Sequence, residues 1–464
     1  MSSRYITALD IGTSKVAAIV GERTATGIKI IGYSEEPVPQ DGVRRGEIMN
    51  IQKVLGAIRP AMQKVREQVN SLPDTEHYTI RDVYVNISGQ NLRCLSAGLH
   101  KNRQDPDSLI TDEEVASMLD EMYLSKVEPS EKILYVVPQY YNVDEFIGAS
   151  EAAGMTGKEI EGEYRLFIGN SGSMKKCEQA VGMAGLRPRR FILSSIAAAS
   201  ALLTSDEKEL GTVLVDIGAG TTEVLIYQDN IIRHAAVIPF GGNSVSEDIR
   251  QICKVSLKNA ELMKVQHGSC ISEYAPENKI ISIKGKDGMT VKDVPFKVLH
   301  SAIEARMCEI LATVRRIVEE SGYGDRISSG AVLTGGSVNL NHIQILAKNI
   351  LKMDVRLGFP DSNTIIGNSI DEVFRPEASV AAGLIIKGFE YEDLSGGFEE
   401  TVTDMPAESD PTLFGDHETS SGDTAAREGA DQNPRTSKPT KQPKPKKSFS
   451  DFLGDIFGPS DNGA

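Results

Sequence analysis

Two short segments that combine an acid, glycines and small hydroxyl residues repeat within this chain. Residues 8–20 read Ala-Leu-Asp-Ile-Gly-Thr-Ser-Lys-Val-Ala-Ala-Ile-Val, and residues 214–226 read Leu-Val-Asp-Ile-Gly-Ala-Gly-Thr-Thr-Glu-Val-Leu-Ile. Each predicts an apolar strand, a tight turn and a second apolar strand. Backbone amides and hydroxyls in such a turn can bind an anion. An ordinary glycine hairpin explains one copy well, whereas two copies favour a paired phosphate site.

The acid of each segment indicates that the phosphate site depends on a metal. A carboxylate repels phosphate, so Asp10 and Asp216 favour a Mg²⁺ ion held through water between acid and phosphate. We expect Gly12, Gly218 and Gly220 to let the backbone approach a ligand and to adopt dihedral angles that other residues avoid. The predicted phosphate-binding residues are Asp10, Gly12, Thr13, Ser14, Lys15, Asp216, Gly218, Gly220, Thr221 and Thr222.

A third segment carries adjacent glycines between a predicted strand and a predicted helix. Residues 331–351 contain Gly335-Gly336 followed by Ser337. Two adjacent glycines leave bare backbone, against which a flat adenine–ribose unit can lie. Because many strand-to-helix turns carry glycines, this segment alone is a weak signal.

The order of the three segments resembles the phosphate-1, phosphate-2 and adenosine motifs of the actin, heat-shock-70 and hexokinase superfamily. The resemblance implies ATP and Mg²⁺ as ligands, and a two-lobed α/β fold with a duplicated core. Two apolar segments, 191–203 and 377–386, occupy the places where that superfamily has its interdomain helices. Ordinary core helices would have the same composition.

Two further pairs of residues are candidates for nucleotide contact. Gly241-Gly242 can contact phosphate, and a simple turn explains these glycines equally well. Glu261 and Lys264 lie one turn apart on a helix predicted through 253–267. The resemblance to actins and heat-shock-70 ATPases implies that this pair contacts the ribose. A solvated surface pair is the alternative.

Composition limits the classes of function. The chain has 464 residues, enough for two or more domains. Its five scattered cysteines indicate reduced thiols in a cytosol rather than a zinc site or disulfides. The net charge of −15 disfavours nucleic acid as a partner. We expect neither a signal peptide nor a transmembrane helix.

Alternating strand and helix patterns predict an α/β body with two inserted units. The first insert is expected to be a small α+β subdomain that contains a helix with a capping box at Thr111 and Glu114. The second is expected to contain a long helix from about 296 to 320. The predicted subdomains are 1A (1–82, 163–203 and 365–389), 1C (83–162), 2A (204–236 and 325–364) and 2B (237–324).

The end of the chain has a composition of its own. Residues 390–433 contain 13 acids and one base, and residues 390–447 are expected to be a disordered linker. Residues 448–459 predict a short amphipathic helix. Five lysines precede it, which favours an anionic membrane surface over a protein groove as its binding site. The apolar face is formed by Phe449, Phe452, Leu453, Ile456 and Phe457.

These features together resemble the FtsA family of actin-like bacterial division proteins over nearly the whole chain. The motifs that carry the resemblance are Gly-Val-Arg-Arg-Gly-Glu-Ile at 42–48, Val-Tyr-Val-Asn-Ile-Ser-Gly at 83–89, Val-Ile-Pro-Phe-Gly-Gly-Asn at 237–243, Ala-Glu-Leu-Met-Lys-Val-Gln-His-Gly at 260–268 and Ile-Glu-Ala-Arg-Met-Cys-Glu-Ile at 303–310. The place of the first insert also matches that family.

The resemblance implies a cytosolic, self-assembling scaffold that tethers the FtsZ ring to the inner face of the cell membrane at the division septum. It implies that subdomain 1C recruits later division proteins, and that Arg306 and Glu309 contact the C-terminal peptide of FtsZ. Locally, these two residues could equally be solvent-facing charges.

Two other classes of protein share the nucleotide motifs. A sugar kinase would need a catalytic Asp and a polar substrate pocket, for which we find no clear candidate. A chaperone ATPase would need a β-rich substrate domain after residue 389, and the acidic sequence there does not predict one. Leu193-Ser194-Ser195 stands where strongly hydrolysing relatives have Gln or Glu, so we expect slow ATP hydrolysis at most.

Overall fold

The structure, a computed structural model, describes residues 4–395 apart from 73–74, 76–77, 285–290 and 367–369. The predicted helix over 448–459, and the predicted linker beyond residue 395, lie outside the described residues.

Strands and helices alternate along this part of the chain. The strands are β1 (Tyr5–Ile11), β2 (Lys15–Thr24), β3 (Gly27–Pro37), β4 (Val43–Arg44), β5 (Glu47–Ile48), β6 (Asp82–Ile87), β7 (Arg93–Asn102), β8 (Glu131–Val143), β9 (Phe146–Ala149), β10 (Glu159–Asn170), β11 (Arg187–Leu193), β12 (Thr212–Ile217), β13 (Thr222–Gln228), β14 (Ile231–Ile238), β15 (Ile280–Lys284), β16 (Val291–Pro295), β17 (Ala331–Thr334) and β18 (Val355–Leu357). The α-helices are α1 (Ile51–Asn70), α2 (Asp112–Tyr123), α3 (Ser171–Met183), α4 (Ser194–Leu202), α5 (Ser205–Leu210), α6 (Gly242–Cys253), α7 (Leu257–His267), α8 (Phe296–Glu320), α9 (Ile343–Leu351) and α10 (Ser379–Ser395).

Two five-stranded mixed sheets share one topology. The first has the order β3-β2-β1-β6-β11, and the second has the order β14-β13-β12-β17-β18. In each sheet an antiparallel hairpin, β1–β2 or β12–β13, is extended by two parallel strands. Parallel neighbours need a crossover, which α1 supplies in the first half and α6–α8 supply in the second. The predicted duplicated α/β core is confirmed.

Helices cover both faces of the first sheet. Alternate residues of β1 and β2 point to opposite faces, so Leu9 and Val16 pack with α1 and α3, whereas Ala8 and Ala17 pack with α4 and α10. In the second half, α6, α8 and α9 bury their apolar faces against residues of β12, β13 and β17. Each half therefore has a core on one face of its sheet, and a further core around α4 and α10 joins residues of both sheets, such as Ala8 and Leu214.

Helices α4 and α10 approach each other through small residues. A Cβ added to Gly383 of α10 would lie 1.7 Å from the carbonyl oxygen of Ala197 in α4. Only glycine fits at such a contact. The two apolar segments that the sequence predicts as interdomain helices thus pack directly on each other.

The first insert forms an antiparallel sheet of order β7-β10-β8-β9, with α2 beside β8. The predicted capping box starts α2, because the Thr111 hydroxyl accepts from the Glu114 amide at 3.2 Å and the Glu114 carboxylate accepts from the Thr111 amide at 3.0 Å. The boundary predicted at residue 162 falls inside β10.

Several predicted helix bounds are wrong. Phe191–Leu193 extend β11, which pairs with β6, and α4 begins only at Ser194. The helix predicted through 253–267 is the end of α6 and the whole of α7. Lys254 separates them by adopting a left-handed φ of 52°.

The folded body also continues past the boundary predicted at residue 390. Helix α10 runs to Ser395, so residues 390–395 are helical rather than part of a linker. Glu392 is buried, and its carboxylate accepts a hydrogen bond of 2.9 Å from the Tyr84 hydroxyl. This tertiary contact outweighs the acidic composition on which the prediction rested.

Candidate functional site

Both acidic-glycine motifs form β-hairpins that are closed in the same way. The Gly12 amide donates to the Lys15 carbonyl at 2.9 Å, and the Gly218 amide donates to the Thr221 carbonyl at 2.9 Å. Within the described part of the chain, the amides of the enclosed turn residues donate no hydrogen bond, which leaves them available to an anion. The turn residues are Thr13 and Ser14 in the first hairpin and Ala219 and Gly220 in the second.

Close packing, not backbone conformation, explains the glycines of these hairpins. None of Gly12, Gly218 and Gly220 has a positive φ, so the prediction that they adopt dihedral angles avoided by other residues is wrong. A Cβ added to Gly220 would instead lie 2.5 Å from Oγ1 of Thr13. The two hairpin turns therefore touch each other.

The Gly-Gly turn meets the second hairpin. Gly335 has a left-handed φ of 87°, and a Cβ added to it would lie 2.2 Å from Oδ1 of Asp216. Gly336 has open space beside it, because the nearest atom to its added Cβ is the Cβ of Glu377 at 4.0 Å. The Ser337 hydroxyl donates to the Gly218 carbonyl at 3.2 Å. The turn thus presents bare backbone next to the acids.

The three motifs surround a cavity of about 430 Å³, a size typical of small-molecule sites. Two predicted residues, Thr222 and Gly241, do not line it. Thr222 is buried, and its hydroxyl donates to the Phe240 carbonyl at 2.9 Å. Gly241 packs against the second hairpin instead, since a Cβ added to it would lie 2.4 Å from the Gly218 oxygen. The predicted residues that line the cavity are Asp10, Gly12, Thr13, Ser14, Lys15, Asp216, Gly218, Gly220, Thr221, Gly242, Glu261, Lys264, Gly335, Gly336 and Ser337.

The acids of the two hairpins share this cavity. Burial raises the pKa of Asp10 to about 7; the Lys15 ammonium opposes the shift and the Asp216 carboxylate adds to it. Burial raises the pKa of Asp216 to about 7 as well, with Glu223 adding to the shift. Neither Asp10 nor Asp216 accepts a hydrogen bond from any residue that the structure describes. Carboxylates so placed suit a cation.

Glu223 is a third acid in the cavity wall, and it was not predicted from the sequence. It faces Asp216 in the register of the β12–β13 hairpin. Burial raises the pKa of Glu223 to about 7, against hydrogen bonds from Ser88 and Ser195. The available signal was an acid inside an otherwise apolar strand. Other polar cavity-lining residues that we missed are Glu35, Asn86, Ser88, Asn243, Asn339 and Glu377.

The basic residues of the cavity are already paired. Lys15 forms an ion pair with Glu35, which also accepts from the Tyr33 hydroxyl. A phosphate oxygen would have to compete with Glu35 for this ammonium.

The Lys264 ammonium has more hydrogen-bond partners than the Lys15 ammonium. Its ammonium donates to the Gly242 carbonyl at 3.0 Å, the Ser246 hydroxyl at 2.9 Å and the Glu261 carboxylate at 2.8 Å. An ammonium has three protons, so none is left for a ligand. The Glu261 side chain is 47% exposed, so its carboxylate is the group of this pair that can contact a ribose hydroxyl.

The predicted partner residues lie apart from the cavity, on α8. Arg306 donates to the carboxylate of Asp248 in α6 at 2.6 and 3.0 Å, and to Glu309 at 2.6 Å. Arg306 thereby links two helices, whereas the Glu309 side chain is 56% exposed. Glu309 is the more accessible of the two.

The predicted membrane residues Phe449, Phe452, Leu453, Ile456 and Phe457 lie outside the described residues. Of the helices that the structure describes, none is both long and apolar enough to cross a membrane. No three His, Cys, Asp or Glu side chains in that same part of the chain converge to hold a metal ion.

Comparison with known proteins decides the family. The family model "Cell division protein FtsA" matches residues 213–383, and the model "SHS2 domain inserted in FTSA" matches residues 89–168. Cell division protein FtsA of Neisseria meningitidis serogroup B is 32% identical over 385 residues, which cover 82% of this chain and 89% of that protein. The chain belongs to the FtsA family. FtsA of Pseudomonas aeruginosa is 30% identical over 410 residues, covering 88% of this chain and 94% of that protein.

A solved structure supports the fold of this FtsA-family chain. The PilM–PilN type IV pilus biogenesis complex matches 84% of this chain and 99% of its own chain, with a TM-score of 0.57 and 16% identity. That likeness concerns the fold alone. With the duplicated sheets and the family match, the predicted actin-like architecture is confirmed.

Proposed function

We propose that this chain binds ATP with Mg²⁺ in the cavity between the two hairpins and the Gly335-Gly336 turn. The observation that carries the proposal is that the three motifs converge on one space. The amides of the two hairpin turns donate no hydrogen bond within the described residues and can bind phosphate oxygens. The backbone of Gly335 and Gly336 carries no side chain, so a flat nucleoside can lie against it. The Glu261 carboxylate would accept a hydrogen bond from the ribose.

Asp10 and Asp216 would hold the Mg²⁺ ion through water. Mg²⁺ keeps several waters and is commonly held by one or two carboxylates together with phosphate oxygens. The fit rests on two carboxylates that face the cavity and accept no hydrogen bond from the described residues. When bound, the ion neutralises charge on both the acids and the phosphates.

The site is better suited to holding a nucleotide than to splitting it. Ser194 lines the cavity at the start of α4, where a Gln or Glu would orient a water in a strongly hydrolysing relative. A serine side chain is shorter than that of Gln or Glu, and the Ser194 hydroxyl already accepts from Asn86 and donates to the Ile87 carbonyl. We therefore propose that hydrolysis is slow and that the nucleotide chiefly controls assembly.

We further propose that the chain is a self-assembling scaffold that tethers the FtsZ ring to the inner face of the cell membrane at the septum. Family membership supports this role. The amphipathic pattern of residues 448–459 supports a membrane-binding segment. Arg306 and Glu309 would contact the C-terminal peptide of FtsZ, and subdomain 1C would bind later division proteins.

Calorimetry with the full chain tests the nucleotide site. We expect ATP to bind more tightly with Mg²⁺ than with a chelator. Asp216→Asn should weaken Mg·ATP binding by about tenfold or more, because it removes a charge that acts through metal-bound water. Asp229→Asn, on the exposed β13–β14 turn, is the matched control and should leave binding unchanged. If the unaltered chain takes up no nucleotide with Mg²⁺, the proposal fails.

Fluorescence anisotropy with a labelled FtsZ C-terminal peptide tests the partner site. Glu309→Gln removes an exposed charge without breaking the Arg306–Asp248 pair, so the fold should persist. We expect weaker binding for Glu309→Gln, with no change for Glu320→Gln at the far end of the same helix. Equal affinities of Glu309→Gln and the unaltered chain would remove Glu309 from the contact.

A further inference from the structure

We call the β1–β2 and β12–β13 hairpins the first and second phosphate hairpins. The segment that leads into the first insert contacts both of them. We call Asn86–Asn91, which comprises the end of β6 and most of the loop to β7, the neck. We call Val43–Ile48, which contains β4 and β5, the short hairpin. We propose that the neck and the short hairpin couple occupation of the cavity to the conformation of the inserted sheet β7–β10. The inference rests on the proposed nucleotide function and adds a regulatory link to it.

The neck is tied to the first phosphate hairpin by Asn86. Its side-chain oxygen accepts from the Ile11 amide at 2.7 Å, directly before Gly12. Its side-chain nitrogen donates to the Ser194 hydroxyl at the start of α4, at 3.1 Å. Asn86 is buried, so loss of either bond would leave a polar group without water.

The neck is tied to the second phosphate hairpin by Ser88. Its hydroxyl donates to the Glu223 carboxylate, which lies in β13 opposite Asp216. The Glu223 carboxylate is buried and also accepts from Ser195, so loss of the Ser88 bond would leave a buried acid with one donor fewer. A shift of the second hairpin must therefore carry Ser88 with it or break this bond.

The short hairpin forms a second connection, from the first phosphate turn to the neck. The Gly46 amide donates to Oγ1 of Thr13 at 3.2 Å. Gly46 also stacks on the neck, because a Cβ added to it would lie 2.9 Å from the Cα of Gly89. The Asn91 side-chain amide donates to the Glu47 carboxylate at 2.6 Å. Backbone thus contacts backbone from the cavity wall to the insert.

Thr13 contacts both the short hairpin and the second phosphate hairpin, so a ligand that binds Thr13 would act on both. Its hydroxyl accepts from Gly46 and keeps its own proton to donate to a phosphate oxygen. Thr13 also abuts Gly220 of the second hairpin. A bound phosphate would fix the Thr13 hydroxyl and hold the two hairpins together against the repulsion of their buried acids. The occupied and empty cavities therefore favour different positions of the neck.

Hydrogen exchange of the full chain tests the coupling. Amide exchange in residues 93–170 would be measured without ligand, with Mg·ADP and with a non-hydrolysable Mg·ATP analogue. Nucleotide affinity would be measured by calorimetry on the same samples. We expect ligand to slow exchange in this segment by about fivefold or more, the lower end of usual allosteric coupling.

Matched variants separate coupling from binding. Glu47→Ala removes the acceptor for Asn91, whereas Glu47→Gln keeps one, and Ser88→Ala removes the donor to Glu223. Asn142→Ala breaks a hydrogen bond to Glu161 inside the insert, away from the neck, and serves as a control. We expect Glu47→Ala to lose at least about half of the ligand effect, with nucleotide affinity within about threefold of the unaltered chain. Ser88 lines the cavity, so Ser88→Ala is compared with the unaltered chain at saturating nucleotide, where it should also lose at least about half of the effect. Glu47→Gln and Asn142→Ala should keep the full effect.

The two proposals fail in different ways. Nucleotide that binds without changing exchange in residues 93–170 would overturn the coupling and leave the nucleotide function intact. A full ligand effect in both Glu47→Ala and Ser88→Ala would also overturn it. If no nucleotide binds at all, the proposed function fails, and the coupling fails with it.

Discussion

Three acids at the hairpins, Asp10, Asp216 and Glu223, keep their protons up to a higher pH than they would in water. Burial raises the pKa of each to about 7. In the unfolded chain such groups ionise near pH 4. Between these values the folded protein binds more protons than the unfolded chain, so its free energy of unfolding falls as pH rises from about 5 to 7.

Glu223→Gln should flatten this pH dependence, because one of the three retained protons is removed. The slope of unfolding free energy against pH should become shallower by up to about 1.4 kcal/mol per pH unit between about pH 5 and 6.5. Urea unfolding without nucleotide or Mg²⁺ measures it. Glu128→Gln, at an exposed position, should leave the slope as it is. An identical slope for Glu223→Gln would show that this carboxyl ionises normally.

Residues inside the repeated motifs could be predicted, and residues brought in by the fold could not. Asp10 and Asp216 carry their signal in sequence, next to glycines. Asn86 reaches the cavity only because β6 runs in parallel beside β1 and β11, and no local pattern encodes that pairing. The role of Lys264 also needed the structure, since only there do its three hydrogen bonds become visible.

Among the contacts between elements, the one between α4 and α10 leaves the least room for an added side-chain atom. Gly383 sits against the Ala197 carbonyl, so Gly383→Ala forces the two helices apart. We expect it to lower the free energy of unfolding by roughly 3 kcal/mol, the upper end of overpacking costs. Thermal and urea unfolding measure the loss.

A second glycine substitution provides the comparison. Gly56 lies in the second turn of α1, and a Cβ added to it meets no atom within 4 Å. Gly56→Ala should therefore stabilise the chain by up to about 1 kcal/mol through helix propensity alone. If Gly383→Ala behaves like Gly56→Ala, the described contact between α4 and α10 is wrong.

Elements with clear end signals were predicted well, and those decided by tertiary contact were not. The capping box at Thr111 starts α2, and the long helix expected near 296–320 is α8. The apolar run 191–203 looked uniformly helical, yet its first three residues pair as a strand. Apolar composition alone does not separate a buried strand from a buried helix.

At the scale of the whole chain, membrane attachment is proposed to depend on residues 448–459. Co-sedimentation with vesicles that contain anionic lipid should pellet the full chain but not a chain ending at residue 447. Phe452→Ser should reduce binding by about tenfold or more, because it removes a large apolar side chain from the buried face. Asp455→Ser, on the polar face, should keep or increase binding. Recovery of the shortened chain with the vesicles would contradict this attachment.

The duplicated architecture could be read from the sequence because its two hairpins and its Gly-Gly turn recur in a fixed order. The boundaries between subdomains could not, since β10 crosses one expected boundary and α10 crosses another. In both places pairing or burial of side chains extends an element beyond the point where composition changes.

The charge of the cavity wall has a practical consequence for inhibitor design. Six acids line the cavity, at Asp10, Glu35, Asp216, Glu223, Glu261 and Glu377, against two lysines that are both engaged by neighbours. A phosphate mimic supplied without metal would meet repulsion there. Compounds that carry an amine or amidine in place of the ion should bind the empty protein better than anionic nucleotide analogues do.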